Sequence, residues 1–411
     1  MKKILQYPIA VLFALFISVF FLVDVFNSDR AFSEFENTSL AQKPAFSWSS
    51  FVDGSFGSKY VKYINEQFLG RDNWISMKAV ADMGLGRIES HGVTYGDDHY
   101  LMEKLEIVED QNYPANAGTN IVKQTSLNRS NGMVSSFLQM YDQPITFSLV
   151  PNSYAILEDE VPTGFPGANQ QVYTQQIYQT LREADDQLEI VDFSDALSQH
   201  KDEYIYYRTD HHWTTLYAYV AYCEQKGLTP VSVEELEENK VEDFYGTFYS
   251  KAKRPSQPAD TITWYDVDVD EFAFVANLQQ DKQLAQLGEV VQEDGLELLR
   301  VDGMMDRRKF EVRDKYAAFM WGNSGYVKIK SSHNLNHQEG KTSRLLLFKD
   351  SYANSMIPYL TYNYDEIIVV DLRYMAKSTK ELMQEEFDDI FVMYNFSTYV
   401  SGASDLAKLK F

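Results

Sequence analysis

Four short apolar runs constrain the fold of this chain more than any other feature. They are Ile145–Val150, Arg344–Phe348, Glu366–Asp371 and Asp389–Met393, and Leu188–Phe193 is a weaker fifth. Helix-like patterns lie near 170–184 and at Thr215–Gln225. Short apolar runs bounded by turn residues are typical of strands that are buried on both sides. Their alternation with helices predicts an α/β fold, with a parallel sheet and helices on both faces.

The segment from about 235 to 330 interrupts this alternation. Strand-like pieces at Thr261–Val267 and Phe272–Val275 are separated by acidic turns, and a charged, helix-prone stretch covers 279–295. We therefore expect a smaller β-rich insertion or lobe at 235–330. It would divide the α/β domain into 91–234 and 331–411, and a stalk with a helical segment would occupy 28–90.

The N-terminus has the pattern of an export signal. Met1-Lys2-Lys3 precede an apolar run from Pro8 to Val23, and lysines before such a run hold the N-terminus in the cytoplasm. No small-x-small cleavage site follows the run. We expect an uncleaved signal anchor at 1–27, a single membrane helix that leaves the rest of the chain outside the cytoplasm.

Composition excludes a nucleic-acid-binding protein and a protein stabilised by an intramolecular disulfide. The formal net charge is −23, and an acidic surface without a basic patch repels nucleic acid, so we expect no nucleic-acid partner. Cys223 is the only cysteine, which rules out an intramolecular disulfide.

The clearest chemical signal is Arg208-Thr209-Asp210-His211-His212-Trp213-Thr214. Histidine exchanges protons near neutral pH, and a carboxylate such as Asp210 can orient the His212 ring and stabilise its protonated form. Two other interpretations remain open. His211 and His212 can be a structural pair in a turn, or they can bind a metal ion with Asp210, although the spacing is not that of an HExxH site.

A nucleophile for this pair is available at Ser351. It follows the apolar run Leu345–Phe348 and precedes a helix-like stretch, Asn354–Tyr359. A strand-to-helix turn at the carboxyl end of a parallel strand is where α/β sheets place catalytic groups, and N–H groups at a helix start stabilise an oxyanion. His212 can accept the Ser351 proton if folding joins the two segments. The alternative is that Asp350 or Ser351 only caps the helix.

Several motifs together resemble the DHHW protein family. The family is similar to the periplasmic alginate O-acetyltransferases and other SGNH-hydrolase-like enzymes. The resemblance extends from about Phe35-Glu36-Asn37 to the C-terminus. It rests on Thr209-Asp210-His211-His212-Trp213-Thr214, Lys349-Asp350-Ser351-Tyr352-Ala353-Asn354-Ser355, Phe68-Leu69-Gly70-Arg71-Asp72, Trp321-Gly322-Asn323-Ser324-Gly325 and Asp371-Leu372-Arg373-Tyr374.

The resemblance implies a fold, a set of roles and a substrate class. The fold would be SGNH-hydrolase-like, with Ser351 as nucleophile, His212 as general base and Asp210 as its orienting acid. This order is the reverse of that in ordinary SGNH esterases, and Lys349 stands where those enzymes usually carry glycine. The activity implied is an extracytoplasmic acyltransferase or esterase that acts through an acyl-enzyme on acetyl groups of a cell-surface polysaccharide, without metal or cofactor.

The acyl donor implied is a multi-pass membrane O-acyltransferase. An alternative function is a catalytically silent surface scaffold or glycan-binding protein that retains the fold.

Four further residues are candidates for the oxyanion and substrate sites. Asn323 is the candidate second oxyanion donor, or else a turn residue. Arg373 follows the strand at Val370-Asp371 and can bind an anionic substrate group or pair with Asp371 or Asp350. Trp213 can stack on a sugar ring or be a buried aromatic beside the histidines, and we expect His211 to matter less than His212.

Overall fold

A computed structural model of the chain describes residues 7–33, 38–109, 121–165, 167–214, 216–279, 281–402 and 404–411. Met1–Lys3 of the signal pattern and Phe35–Asn37 of the family resemblance lie outside these residues. The chain divides into two compact units. The first comprises 1–87 and 253–256, and the second comprises 88–252 and 257–411.

The first unit is helical and begins with the apolar segment. Helix Pro8–Phe26 has 19 residues and a mean hydropathy of 2.8, so it is long and apolar enough to cross a bilayer, which needs about 20 such residues. The remaining elements of this unit are a strand pair, Phe32–Ser33 with Thr38–Ser39, and helices Trp48–Val52, Ser55–Glu66 and Arg71–Gly84.

The second unit is built on a nine-stranded sheet. Its strands are β1 (Ile145–Val150), β2 (Glu189–Ile190), β3 (Glu271–Phe274), β4 (Gly288–Glu293), β5 (Leu296–Val301), β6 (Val327–Lys330), β7 (Arg344–Lys349), β8 (Glu366–Val370) and β9 (Asp389–Asn395). The spatial order is β4-β5-β3-β6-β8-β7-β9-β1-β2. Strands β8, β7, β9, β1 and β2 are parallel, and the pairs from β4 to β8 are antiparallel.

The sheet is therefore mixed rather than parallel throughout. Four strands of the segment 235–330, which was predicted as an insertion or β-rich lobe, extend the sheet. Among them, β6 pairs with the open edge of β8 and satisfies backbone groups that would otherwise be exposed. The stretch 279–295, expected to be helical, contains β4. Asp294 and Gly295 both have positive φ, which suits the tight turn of the β4–β5 hairpin. The strand pair Glu238–Phe244 and Asp260–Tyr265 remains outside the main sheet.

Helices cover both faces of the sheet. Alternate side chains of a strand point to opposite faces, and in β7 Leu345 and Leu347 belong to one buried cluster while Leu346 and Phe348 belong to the other. Helix Leu216–Lys226 contributes to the first cluster, and helices Gln124–Leu138 and Gln170–Ala184 contribute to the second.

Shorter elements complete the unit. They are strands Glu89–Ser90, Val93–Tyr95, Leu101–Glu103, Glu106–Val108 and Ile121–Lys123, and helices Ser153–Ile156, Ser194–Gln199, Thr247–Ala252, Ile357–Leu360, Thr379–Leu382 and Phe396–Val400. The first three strands form an antiparallel sheet.

Candidate active site

Ser351 lies where β7 ends at the carboxyl edge of the sheet. It begins a 3₁₀ turn, Ser351–Ser355, and is half-buried. The preceding carboxylate, Asp350, accepts hydrogen bonds from the backbone N–H of Tyr352 at 3.0 Å and of Asn395 at 2.8 Å. Since Asn395 ends the neighbouring strand β9, these bonds fix the turn against the sheet. Asp350 is thus the N-cap, as the capping interpretation has it, and Ser351 is left with an accessible hydroxyl.

The structure brings His212 and Asp210 to Ser351. The Nε2 atom of His212 lies 2.9 Å from Ser351 Oγ, and its Nδ1 atom lies 2.5 Å from Asp210 Oδ1. Because a carboxylate only accepts, Nδ1 carries the ring proton and the Nε2 lone pair faces the serine hydroxyl. The three groups therefore lie in the order acid, base and alcohol that serine catalysis requires.

Asp210 is held by contacts on both of its carboxylate oxygens. Oδ2 accepts from the Thr247 backbone N–H at 2.7 Å and from Thr247 Oγ1 at 3.0 Å, while Oδ1 also accepts from the His212 backbone N–H at 3.1 Å. Gly246 presses against the same side chain. A Cβ atom at residue 246 would lie 2.2 Å from Asp210 Cβ, so only glycine fits there.

The segment that carries Asp210 and His212 has no helix or extended strand of its own. A buried carboxylate, Asp260, holds it. Asp260 accepts from the backbone N–H of Arg208 at 2.9 Å and of Thr209 at 2.7 Å, and from the hydroxyls of Thr209 and Tyr204. Since Asp260 begins a strand of the pair outside the main sheet, tertiary side-chain contacts position the base.

Tyr316 links His212 to Ser351. Its ring lies parallel to the His212 ring, with 3.7 Å between centroids and 9° between planes. Its hydroxyl donates to the Ser351 carbonyl oxygen at 3.0 Å and lies 3.2 Å from Ser355 Oγ. One side chain therefore contacts both the His212 ring and the backbone of Ser351.

The environment keeps His212 neutral. Burial, reinforced by the nearby His211, lowers the pKa of His212 to about 4 although Asp210 opposes the shift. Burial also disfavours the charged forms of Asp210 and His211. Their mutual attraction outweighs it, so the pKa of Asp210 lies well below its usual range and the pKa of His211 is raised. A neutral imidazole next to an ionised carboxylate is the form that a general base needs.

Asn323 and Lys349 belong to one polar network beside Ser351. Lys349 is 2% exposed, and its Nζ atom lies 2.6 Å from Asn354 Oδ1 and 3.2 Å from Asn323 Oδ1. Asn354 Nδ2 donates to the same Asn323 oxygen at 3.2 Å. Burial lowers the pKa of Lys349 to about 8. Because the oxygen of Asn323 accepts both bonds, its amide N–H groups are the end that remains for a ligand.

Arg373 forms an ion pair with Asp371. Its Nε and Nη2 atoms lie 2.9 and 2.6 Å from the two Asp371 oxygens, and its side chain is 35% exposed. Of the alternatives for Arg373, the structure shows the Asp371 pair.

Trp213 and His211 lie on either side of the base. Trp213 is fully buried and its Nε1 atom donates to the Tyr352 carbonyl oxygen at 3.0 Å, so it is the buried aromatic rather than a sugar platform. His211 is partly exposed, and its Nδ1 atom lies 2.7 Å from Thr247 Oγ1. His211 does not contact Ser351 through any hydrogen bond among the described residues.

Asp210, His211 and His212 also form a cluster that can hold a metal ion by distance alone, since one ligand atom from each lies within 4.8 Å of the others. The hydrogen bonds within this cluster compete with metal binding. The proton on His212 Nδ1 faces Asp210, and both carboxylate oxygens already accept from N–H groups.

Sequence reasoning missed four residues that support the site: Gly246, Thr247, Asp260 and Tyr316. All four lie in the segment at 235–330 that was set apart as an insertion. Their contacts are tertiary, and no local pattern marks them. The only available signal was Gly246-Thr247, a glycine and a hydroxyl residue between aromatic runs.

Comparison with known proteins identifies relatives of the fold. The DHHW protein family matches residues 147–370, which is more than half of the chain, and none of the curated proteins compared with the chain matches it. A solved DHHW family protein from Eubacterium siraeum DSM 15702 is similar at 22% identity and a TM-score of 0.56, over 79% of this chain and 96% of that one.

Two further solved structures are similar at lower identity. PatB1 from Bacillus cereus, solved with a sulfonyl adduct, is 14% identical with a TM-score of 0.54, over 77% of this chain and 97% of that one. The O-acetyltransferase domain of Pseudomonas putida AlgJ is 12% identical with a TM-score of 0.39, over 78% of this chain and 98% of that one. The likeness of the chain to the Eubacterium siraeum protein and to PatB1 is one of fold.

Proposed function

The chain belongs to the DHHW protein family, and from that membership and the geometry of Asp210, His212 and Ser351 we propose that it is a serine acyltransferase or esterase. It acts outside the cytoplasm, with helix Pro8–Phe26 as its membrane anchor. Its substrate is a cell-surface polysaccharide to which it adds, or from which it removes, acetyl groups, and a multi-pass membrane O-acyltransferase supplies the acyl groups for transfer.

The observation that carries the proposal is the 2.9 Å contact between Ser351 Oγ and a neutral His212 ring. Ser351 Oγ attacks the acyl carbonyl carbon while its proton moves to His212 Nε2, and Asp210 stabilises the resulting imidazolium. The bond to the leaving group then breaks, and that group takes the proton from His212. A sugar hydroxyl or water, deprotonated by His212, attacks the acyl-Ser351 ester and regenerates the free serine.

The oxyanion formed in each step needs donors near Ser351. The Ser351 backbone N–H begins the turn, and the amide N–H groups of Asn323 are the available end of that side chain. Removal of one oxyanion donor typically reduces kcat by about 10²–10³-fold. Asn323 is therefore assigned as the second donor.

Hydrolysis of p-nitrophenyl acetate by the full chain in detergent micelles tests the proposal. Ser351→Ala should reduce nitrophenolate release by at least about 10³-fold. Ser355→Ala is the matched control, since it removes a hydroxyl from the same turn and should retain most of the activity. Equal rates for wild type and Ser351→Ala would remove Ser351 from the mechanism.

A covalent probe separates the catalytic proposal from the silent-scaffold alternative. PatB1 was solved with a sulfonyl adduct, which recommends phenylmethylsulfonyl fluoride as the reagent. An activated Ser351 Oγ displaces fluoride from sulfur and loses its proton to His212. Intact mass should show one sulfonyl group on wild type and on Ser355→Ala, but none on Ser351→Ala. A wild-type chain that neither hydrolyses the ester nor takes up the label would favour the scaffold.

A further inference from the structure

A cleft of about 630 Å³ is separated from His212 by Phe319 and Tyr316, and none of the triad residues lines it. Phe319 in its wall contacts the Tyr316 ring, with 5.2 Å between centroids, and Tyr316 in turn stacks on His212. Tyr359, in the short helix that follows the Ser351–Ser355 turn, forms another part of the wall. Its hydroxyl accepts from the Tyr265 backbone N–H at 3.3 Å. The cleft is thus continuous in packing with the elements that carry Ser351 and His212.

The charge of the cleft is negative. Its two arginines are already paired, because Arg307 contacts Asp266 at 2.9 Å and Arg308 contacts Asp306 at 2.8 Å. Three other carboxylates line the cleft: Glu237, Asp268 and Asp302. They are exposed and have no ion-pair partner in the part of the chain that the structure describes. An anionic ligand would meet uncompensated like charge here, which disfavours its binding.

The cleft also presents aromatic surface. Tyr265 and Trp321 line it and are half-buried, and Arg308 lies over the Trp321 ring at 5.8 Å, which leaves Tyr265 as the candidate stacking ring. An aromatic ring offers a flat apolar face, which matches the C–H face of a pyranose, and carboxylate oxygens accept hydrogen bonds from sugar hydroxyls. The volume lies within the range of about 300–1,000 Å³ that ligand sites occupy.

We propose that this cleft binds the sugar units that flank the unit acylated at Ser351, and that this glycan is neutral or carries amino groups rather than carboxylates. The inference rests on the proposed function and specifies its substrate class. The charge of the cleft disfavours a polyuronate such as alginate. A neutral chain stacks on Tyr265 and donates hydroxyl hydrogens to Asp268 and Asp302.

Calorimetric titration of the full-length Ser351→Ala chain with matched sugars tests the proposal. The probes are β-1,4-linked hexamers of glucose, glucosamine and mannuronate, which differ mainly in charge. We expect the glucose and glucosamine hexamers to bind at least about 10-fold more tightly than the mannuronate hexamer at low salt, with a smaller difference at high salt.

Variants at the cleft distinguish its two recognition elements. Tyr265→Ala should weaken binding of the glucose hexamer by about 10-fold, whereas Tyr173→Ala, a half-buried tyrosine in helix Gln170–Ala184, should not. The double variant Asp268→Asn, Asp302→Asn should strengthen mannuronate binding and weaken glucose binding, because an amide oxygen accepts a weaker hydrogen bond than a carboxylate does. The matched charge control is Asp185→Asn, Asp186→Asn, which should change neither.

Equal affinity for glucose and mannuronate hexamers, or no binding of either, would overturn the cleft proposal. So would unchanged binding in the Tyr265 and double aspartate variants. These results are separable from failure of the catalytic proposal, because p-nitrophenyl acetate does not need the cleft. Turnover of that ester without glycan selectivity rejects the cleft alone, and glycan selectivity without turnover or sulfonyl labelling rejects Ser351 catalysis.

Discussion

The two halves of the candidate site are positioned by different kinds of structure. Ser351 follows β7, a buried central strand whose backbone is paired on both sides with β8 and β9. His212 lies in an irregular segment that is held by Asp260, Thr247 and Tyr316. The nucleophile thus depends on repeated backbone hydrogen bonds, whereas the base depends on a few side chains from a distant part of the sequence.

This difference predicts how each half responds to change. Many backbone hydrogen bonds hold β7 in the sheet. Loss of one core side chain therefore lowers the stability of the fold without moving the end of the strand. A loop that is held by a few side chains moves when one of them is lost. A displacement of about 1 Å in a reacting group can reduce the rate by about 10²-fold. Substitutions that support His212 should therefore affect turnover more than equally destabilising substitutions behind Ser351.

The largest effect is expected within the histidine pair itself. His212→Ala should reduce p-nitrophenyl acetate turnover by at least about 10³-fold, because it removes the proton acceptor. His211→Ala should reduce it much less, since His211 lies next to the base without contacting Ser351. Steady-state kinetics with circular dichroism checks both variants. Greater sensitivity at His211 would show that the base has been assigned to the wrong ring.

Comparison of Asp260→Asn with Leu346→Ala tests the two positioning modes directly. Asp260→Asn replaces one accepting oxygen by an NH₂ group, so one of the two backbone N–H groups that Asp260 holds loses its acceptor. We expect a loss of about 1–3 kcal/mol in the free energy of unfolding together with a fall in kcat of about 10²-fold. Leu346→Ala should cost about 2–5 kcal/mol by creating a cavity, with kcat of the folded protein nearly unchanged.

Denaturant unfolding and kcat, measured on the same samples of both variants, test whether Ser351 and His212 are positioned in these two different ways. Similar kcat losses in the two variants would remove the distinction that we draw between the halves.

Tyr316 should contribute a smaller, separable effect. Its ring faces a histidine that becomes positively charged during the reaction, and such a contact is worth about 0.5–2 kcal/mol. Tyr316→Leu should therefore lower kcat by up to about 30-fold, while Tyr316→Phe keeps the ring and should lose only a few-fold. If the two variants lose activity equally, the hydroxyl contact with the Ser351 turn matters and the stacking does not.

The smallest effect concerns the pH profile. Burial and His211 together lower the pKa of His212 to about 4, so activity should persist well below the ordinary imidazole pKa of 6.5 and fall only as the ring becomes protonated near pH 4. His211→Ala removes the neighbouring positive charge, which should raise the pKa of His212 and shift the acidic limb of kcat/KM to higher pH. An unshifted limb would mean that burial alone sets this pKa.

The strand that positions Ser351 and the side chains that position His212 also differ in how far the sequence predicts them. The strands at 145–150, 344–349, 366–370 and 389–395 were predictable because burial on both faces requires continuous apolar runs. Ser351, His212 and Asp210 were identified as candidates from the types of their side chains and their local setting. Leu188–Phe193 forms only the two-residue strand β2.

The remainder depends on contacts that no local pattern records. The segment near 279–295 has a charged, helix-like composition, but pairing across the Asp294-Gly295 turn makes it a hairpin. Asp-Gly between strand-like runs is a hairpin signal that the composition obscured. Thr247 and Tyr316 are an ordinary threonine and tyrosine in sequence, and their importance comes only from lying against Asp210 and His212.

Gly246 matters when the activity of a homologue is inferred from its sequence. Its missing side chain leaves the space that the Asp210 carboxylate occupies, so any larger residue at that place forces the acid away from its histidine. A homologue could therefore retain the full aspartate, histidine and serine set and still be inert. Inspection of this one small residue would separate working members from degenerate ones more reliably than a count of the reactive groups.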